Sequence, residues 1–261
     1  MPGRLVPWSE DDSDDLALAI HLAGAAGELL TGVRDSWDGD EAGLRKAGDA
    51  RAQALLAERL GRARPTDAVL SEEARDDPAR LGRHRLWIID PLDGTREFGE
   101  GRADWAVHVA LWERIAGPDG DLTVGAVALP GRGIVLSSGA APTAPDRAEG
   151  PLRIAVSRTR PPAVAVAAAE ALGAQLIPMG SAGFKVTAVV LGEVDAYVHS
   201  GGQYEWDSAA PVAVARGAGM HTSRLDGSPL RYNRPDPLLP DLVIARPGIA
   251  DALLAAIADA S

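Results

Sequence analysis

Apolar residues near the start of the chain recur at the spacing of an amphipathic helix. The repeating positions are Leu16, Ile20, Ala23, Gly27 and Leu30, each three or four residues after the previous one. A second run, from about residue 44 to residue 60, carries Leu55, Leu56 and Leu60 on one side. Because an α-helix has about 3.6 residues per turn, both runs predict helices that bury one face.

Shorter apolar runs that follow are typical of β-strands. Residues 86–89 are apolar at both alternating positions, which indicates a strand buried on both faces of a sheet. Further apolar runs, bounded by Gly, Asp or Pro, occupy residues 69–70, 107–112, 122–129 and 134–136. The first half of the chain is therefore predicted to be an α+β region, with helices over an antiparallel or mixed sheet.

Residues 140–151 combine three prolines with small and charged residues, the composition of a linker or an exposed loop. We place a domain boundary there, between an N-terminal α+β domain (1–145) and a C-terminal α/β domain (146–261). In the second half, strand-like and helix-like runs alternate, which is typical of an α/β fold whose sheet is covered by helices. These runs are residues 152–156, 163–172, 175–178, 184–191, 195–198, 209–215, 242–245 and 249–257.

Charge and composition narrow the classes of function. The 26 Lys and Arg residues against 37 Asp and Glu residues leave a net charge of −11, so a nucleic-acid polymer is a poor partner. The chain has no cysteine, which excludes disulfides, thiol nucleophiles, Cys-ligated zinc and iron–sulfur clusters. Any bound metal must therefore take oxygen or imidazole ligands.

The N-terminal residues indicate a cytoplasmic protein. Residues 1–15 lack the apolar stretch of a secretory signal, and the acidic run at residues 10–15 is typical of a solvated helix start. The apolar stretch at residues 16–30 is interrupted by His21 and Glu28, so no membrane span is expected.

Two carboxylates follow the most apolar strand of the first half. The strand is predicted to end at Asp90, Pro91 starts a turn, and Asp93 follows three positions later. Two acids at the carboxyl end of one strand suit a hard divalent cation, which prefers oxygen ligands. An ordinary Pro-Leu-Asp-Gly turn is the open alternative. Gly94 and Thr95 then lead into a predicted helix, whose free N–H groups form an anion site.

Two more acids stand at the ends of predicted elements. Glu72 follows the short run at residues 69–70, and Asp207 starts the helix that contains residues 209–215. Together with Asp90 and Asp93 they could hold two cations about 4 Å apart, the arrangement used in phosphoryl transfer. Each also has a structural alternative, Glu72 as a first-turn acid and Asp207 as an N-cap.

The motifs in this order resemble those of the inositol monophosphatase superfamily, a group of lithium-sensitive, magnesium-dependent phosphatases. They are the pair of glutamates at 72–73, WIIDPLDGT at 87–95, WDSAA at 206–210 and Ala-Gly at 218–219. The segments DGTREF (93–98) and DWAVH (104–108) are similar to the actinobacterial, CysQ-type 3′(2′),5′-bisphosphate nucleotidases. The resemblance implies a layered αβαβα sandwich.

The resemblance also assigns metal ligands, for two or three magnesium ions. Glu72, Asp90 and the Leu92 carbonyl would hold the first metal, and Asp90, Asp93 and Asp207 the second. It assigns the activation of the attacking water to a pair formed by an Asp and a Thr.

The Asp and Thr of this pair match Asp49 and Thr95 here, although residues 45–49 (RKAGD) lack the usual Val-Thr before the Asp. The implied substrate contacts are Glu72, Leu92, Asp93, Gly94, Thr95, Arg96, Ser181, Lys185 and Asp207. We expect Lys185 to be an exposed helix lysine rather than a ligand for a second phosphate. The five histidines lack metal-ligand spacing and are expected to be structural.

The function implied is that of a magnesium-dependent phosphomonoesterase, which hydrolyses the 3′-phosphate of adenosine 3′,5′-bisphosphate to AMP and phosphate and serves sulfate assimilation. Three alternatives stay open: activity on inositol phosphate or fructose 1,6-bisphosphate, a non-catalytic sensor of magnesium and phosphate, and a structural domain whose acids are caps and turns. Relatives of this kind are often homodimers, so a dimer is expected.

Overall fold

The computed structural model describes residues 14–115, 119–143, 145–147 and 149–260. It begins with two long helices, α1 (Asp15–Asp35) and α2 (Glu41–Ala63). The Asp14 carboxylate accepts hydrogen bonds from the N–H groups of Leu16 and Ala17, so the end of the acidic run caps α1 as an N-cap should. Residues 10–13 of that run lie outside the described residues. Both predicted helices are confirmed, and each extends beyond its predicted bounds.

The first sheet consists of five strands in sequence order. They are β1 (Ala68–Ser71), β2 (Arg85–Asp93), β3 (Ala106–Glu113), β4 (Asp121–Leu129) and β5 (Ile134–Ser137). β1 is parallel to β2, and the remaining pairs are antiparallel, so the sheet is mixed. A short helix, α3 (Thr95–Gly99), follows β2.

The second sheet has the order β7-β6-β8-β10-β9. Its strands are β6 (Arg153–Ser157), β7 (Gln175–Met179), β8 (Ala196–Tyr204), β9 (His221–Ser223) and β10 (Leu238–Ala245). Four helices accompany it, namely α4 (Ala163–Leu172), α5 (Ala182–Val190), α6 (Glu205–Gly217) and α7 (Ala250–Asp259). β6 is parallel to β7 and β8, whereas β10 is antiparallel to both of its neighbours.

The helices and sheets stack in five layers, which confirms the predicted αβαβα sandwich. α1 and α2 cover the outer face of the first sheet, α5 and α6 lie between the two sheets, and α4 and α7 cover the second sheet. Three apolar clusters fill the spaces between these layers. Burial of apolar residues between layers is the main source of stability in such a fold.

The helices of the central layer contact both sheets. α5 and α6 come from the second half, yet they pack on the first sheet as well as on the second. A Cβ on Gly125 of β4 would lie 2.7 Å from the Ala210 carbonyl oxygen of α6, so glycine lets this helix approach the sheet closely. The boundary predicted at residue 145 falls in the connection from β5 to β6, and the division into domains stays a prediction.

α1 is long and apolar enough to cross a membrane by length and composition, in contrast to the expectation from its interruptions. Its buried side chains, however, pack against the first sheet. A helix with one face in the protein interior passes the same test, and α1 is such a core helix.

Candidate metal and phosphate site

The end of β2 differs from the prediction. The strand does not stop at Asp90 with a turn at Pro91; it continues to Asp93. Its register shifts on the way, since Asp90 pairs with His108 whereas Asp93 pairs with Ala106. Residues three apart point to opposite faces of a regular strand, but an irregularity in the ladder can re-aim a side chain. The shift is therefore what allows both acids to enter one site.

Three carboxylates converge beside this irregularity. One oxygen each from Asp90, Asp93 and Asp207 lies within 4.8 Å of the other two. Asp207 is in the first turn of α6, where its Oδ2 accepts a hydrogen bond of 2.6 Å from the N–H of Tyr204. Asp207 is thus not the N-cap, the structural alternative considered above, because Tyr204 occupies that position. The clustering of acids predicted from the sequence is confirmed for these three residues.

Asp90 supplies the test of whether a cation fits here. The residue is 1% exposed, and its Oδ1 accepts a hydrogen bond of 3.0 Å from the N–H of Leu92. Its Oδ2 is buried with no hydrogen-bond partner among the described residues. Burial and the charge of Glu72 raise the pKa of Asp90 well above its usual range. A buried carboxylate oxygen without a partner is costly, and a divalent cation is a ligand that would satisfy it.

Glu72 and Asp207 show the same electrostatic pattern. Burial, followed by the charge of Asp93, raises the pKa of Asp207 to about 7. Glu72 directly follows β1, as predicted, and its pKa is also raised to about 7, by burial and by the charge of Asp207. Glu72 is exposed and is not one of the three carboxylates that lie within 4.8 Å of one another, although its charge interacts with those of Asp207 and Asp93. These acids repel one another, so a cation among them would be bound with a gain in stability.

Asp93 is held differently from the other acids. It accepts hydrogen bonds from the Ser181 hydroxyl and from the N–H groups of Ala182 and Gly183, the latter at 2.7 Å. Burial alone would raise its pKa, but the neighbouring His108 ring and the Ser181 hydroxyl lower the pKa of Asp93 to about 2. Asp93 therefore remains ionised and joins β2 to the start of α5 in the second half.

His108 belongs to the site, although sequence reasoning treated all histidines as structural. Its ring has no exposed surface; Nδ1 lies 3.1 Å from the Trp206 carbonyl oxygen and Nε2 lies 3.3 Å from Asp93 Oδ2. A Cβ on Gly183 would lie 2.0 Å from His108 Nε2, so the absence of a side chain there makes room for the ring. A single polar residue within the apolar run at residues 107–112 was the available signal.

Asp49 and Thr95 meet as the resemblance implied. Their side chains are neighbours, and Thr95 Oγ1 donates a hydrogen bond of 3.1 Å to the Leu92 carbonyl oxygen. Burial and the charge of Glu73 raise the pKa of Asp49 to about 6, while the neighbouring Thr95 opposes this shift.

Gly48 explains how α2 comes close enough to form this pair. A Cβ on Gly48 would lie 2.9 Å from the ring of Phe98 in α3 and 3.1 Å from the Leu92 side chain. The glycine that precedes Asp49 therefore lets α2 pack tightly against the segment that carries Thr95.

Gly94 occupies the junction between β2 and α3. Its φ of 87° lies in the left-handed region, and a Cβ would be 3.1 Å from that of Ser181. The predicted helix start is confirmed at Thr95, but α3 has only five residues, so its dipole is small. The N–H groups of its first turn have no partners within the helix and can bind an oxygen anion.

The three other predicted substrate contacts differ in their surroundings. Ser181 caps α5, with its hydroxyl between Asp93 and the N–H of Phe184. Lys185 is buried rather than exposed, contrary to our expectation, because its Nζ donates to the carbonyl oxygens of Gly180 and Ser181. Burial lowers the pKa of Lys185 to about 8. Arg96 is exposed on α3.

Known proteins resemble this chain along its length. A model described as the inositol monophosphatase family matches residues 11–261. The 3′-phosphoadenosine 5′-phosphate phosphatase of Mycobacterium bovis is 56% identical, covering 100% of this chain and 99% of that protein. The 3′(2′),5′-bisphosphate nucleotidase CysQ of Escherichia coli is 30% identical, covering 71% of this chain and 78% of that protein. The crystal structure of CysQ from Bacteroides thetaiotaomicron aligns with a TM-score of 0.75 at 26% identity, covering 89% and 97%.

Proposed function

This chain belongs to the inositol monophosphatase family, and we propose that within this family it is a magnesium-dependent phosphatase of adenosine 3′,5′-bisphosphate. The products are AMP and inorganic phosphate. The single observation that carries the chemistry is the convergence of Asp90, Asp93 and Asp207 beside the Asp49–Thr95 pair. The choice of substrate is supported by the relative in Mycobacterium, whose name states it, and by the relative in Escherichia, which is named a 3′(2′),5′-bisphosphate nucleotidase.

The acids of the cluster would hold the metal ions. Glu72, Asp90 and the Leu92 carbonyl would form one ligand set, and Asp90, Asp93 and Asp207 would form the second, for two or three magnesium ions per site. Magnesium would supply positive charge that stabilises the phosphate oxygens and lowers the pKa of a bound water. Carboxylate and carbonyl oxygens are the ligands that magnesium prefers.

The protein's own residues orient the reactants. The N–H groups of Gly94 and Thr95 bind the phosphate that is transferred. The Thr95 hydroxyl accepts a hydrogen bond from the attacking water and passes its own proton toward Asp49, whose raised pKa of about 6 suits a proton acceptor near neutral pH. The water oxygen forms a bond to phosphorus, the bond from phosphorus to the ribose oxygen breaks, and that oxygen takes up a proton from solvent.

A buried lysine beside the cluster favours a substrate with two phosphates. Lys185 interacts electrostatically with Asp93 and Asp207, so it lies near the cluster. Two of its three N–H groups are used on backbone carbonyls, which leaves one for a ligand.

A substrate panel tests this proposal. Phosphate release from adenosine 3′,5′-bisphosphate, inositol 1-phosphate and fructose 1,6-bisphosphate is measured with magnesium and with a chelator present. We expect magnesium-dependent release with the highest kcat/KM for the nucleotide. A preference for either sugar phosphate would contradict the substrate assignment, and binding of the nucleotide without phosphate release would favour a sensor instead.

The cellular setting is part of the same proposal. Removal of adenosine 3′,5′-bisphosphate clears a by-product of sulfate assimilation, and we place the enzyme in the cytoplasm. A homodimer stays a prediction, which light scattering of the purified protein checks.

A further inference from the structure

An exposed apolar patch lies beside the acid cluster. Tyr204 and Leu238 are directly opposite each other on β8 and β10, and they remain 42% and 44% exposed. Single exposed apolar side chains are common on proteins, whereas adjacent ones that form a patch can mark a binding surface. The patch is next to the candidate metal ligands, since the N–H of Tyr204 donates to Asp207 Oδ2.

The rings of Tyr204 and Trp206 form a stacked pair, the platform. The two rings are stacked, with centroids 4.7 Å apart and planes inclined by 9°. Trp206 is held in place because its carbonyl oxygen bonds His108, and its side chain packs against the central apolar cluster. The ring of Tyr204 is thus supported from one side, while the residue as a whole keeps much of its surface in solvent.

The chain that leads to the platform carries little that could obstruct it. Gly201 and Gly202 have φ values of 86° and 76°, and nothing lies within 4 Å of the position that a Cβ would occupy on either. The pairing of β8 with β10 is irregular at this point. The part of β8 just before Tyr204 therefore has no side chain at two successive positions.

We propose that the nucleobase of the substrate stacks on the ring of Tyr204, which makes Tyr204 a specificity-determining residue. This inference rests on the proposed function, because the phosphate would be held by the metal ions that Asp90, Asp93 and Asp207 would bind, and the base must reach the ring from there. A purine has a flat π-face that gains stacking energy on an aromatic side chain, whereas an inositol or a furanose ring has none. The platform therefore selects a nucleotide over a sugar phosphate that binds the same metal ions.

The test compares two variants at this position. Tyr204→Leu keeps apolar bulk but removes the π-face, and Tyr204→Phe keeps the ring. We expect Tyr204→Leu to raise the KM for adenosine 3′,5′-bisphosphate about tenfold, equal to about 1.4 kcal/mol of binding energy. The Kd of AMP, measured by calorimetry with magnesium, should weaken by the same factor. KM values for fructose 1,6-bisphosphate and inositol 1-phosphate should stay within about twofold, and Tyr204→Phe should restore nucleotide binding.

Ile134→Ala is the matched control, because Ile134 is another exposed apolar side chain and lies on β5, at the edge of the first sheet. It should leave all of these constants unchanged.

An equal loss of affinity for nucleotide and sugar phosphates in Tyr204→Leu would overturn the inference, since it would indicate a disturbed Asp207. If the wild-type protein hydrolyses the nucleotide, unchanged nucleotide KM and Kd values in Tyr204→Leu would also overturn the inference. If the wild-type protein does not hydrolyse adenosine 3′,5′-bisphosphate, the proposed function itself fails. If Tyr204→Leu does not fold, Tyr204→Phe and Tyr204→Trp provide the comparison, and a KM that is indifferent to ring size would count against stacking.

Discussion

Two groups of buried acids lie on or near α3, and they differ in how their charge is compensated. In the junction group, Glu97 pairs with Arg158 from the second half at 2.9 Å, and Asp104 accepts hydrogen bonds from Arg102 and from the N–H of Gly180. In the metal cluster, Asp90 keeps an oxygen without a hydrogen-bond partner among the described residues, and the nearest His108 nitrogen is 4.0 Å away. Both groups are buried and both lie at the boundary between the halves.

Asp104 and Asp90 are both buried, and the hydrogen bonds that each accepts, rather than burial, distinguish the structural acid from the proposed ligand. Asp93 in the cluster also has protein partners. Burial alone would raise the pKa of Asp104, but the hydrogen bonds from Arg102 and Gly180 lower it. Burial also raises the pKa of Asp90, and there the neighbouring charge of Glu72 adds to the shift. The junction is complete without a ligand, whereas the cluster is stabilised when a cation binds.

The largest expected effect comes from neutralising the cluster. Asp90→Asn removes a ligand shared by both proposed metal sites, and we expect kcat/KM for adenosine 3′,5′-bisphosphate to fall by about a thousandfold or more. Replacement of a buried carboxyl whose charged form is disfavoured by burial and by Glu72 should leave the thermal stability of the metal-free protein equal to or above that of the wild type. Near-normal turnover would contradict the assignment of Asp90 as a ligand.

Variants of His108 test the two contacts of its ring inside the cluster. His108→Gln can place an amide nitrogen near Asp93, and His108→Asn can place one near the Trp206 carbonyl, so the two variants separate the two contacts of the ring. Partners of metal ligands commonly contribute about 10- to 100-fold to metal affinity. We expect calorimetry to show weaker magnesium binding in both variants, with the smaller loss in His108→Gln. Unaltered affinity in both would show that the ring only fills space.

The pH dependence of magnesium binding should reveal the raised pKa values. Glu72 and Asp207, each with a pKa of about 7 without metal, must lose protons before they bind a cation. We expect affinity to weaken about tenfold or more between about pH 8 and pH 6. The two acids also contribute stability to the metal-free fold below their unfolded-state pKa, and this contribution is lost as the pH rises through about 7.

Magnesium should therefore raise Tm more near pH 8 than near pH 6, as differential scanning calorimetry can measure. In the junction group the pH dependence of stability has the opposite sign. Because the pKa of Asp104 is lowered, its contribution to stability is lost only as the pH falls through that lowered pKa. A magnesium effect on Tm that is independent of pH would argue against the raised values in the cluster.

The smallest effect on activity is expected at the junction. Asp104→Asn weakens the pair with Arg102 and should lower the free energy of unfolding by about 1–3 kcal/mol, as measured by denaturant titration. The kcat with saturating magnesium should stay within about tenfold of the wild type, because Asp104 is not among the proposed ligands. A loss of activity as large as that of Asp90→Asn would remove the distinction between the two groups.

Several features were predictable because their signals are local. The apolar period of 3.6 residues identified α1 and α2, and the run at residues 86–89 identified the buried part of β2. Glu72 and Asp207 were placed at element ends by their sequence neighbours alone. The pairing of Asp49 with Thr95 was inferred by resemblance rather than from spacing, since 46 positions separate them in the sequence.

The tertiary structure decided which of these polar groups have partners. The burial of Lys185 depends on carbonyl oxygens at the start of α5, and the role of His108 depends on a gap left by Gly183, a residue of the other half. The register shift that aligns Asp90 with Asp93 arises from pairing with β3. A sequence determines periodicity, capping and charge within a few residues, whereas desolvation and hydrogen-bond satisfaction depend on groups brought together from distant positions. The Asp90 oxygen that lacks a hydrogen-bond partner in the described part of the chain is such a property.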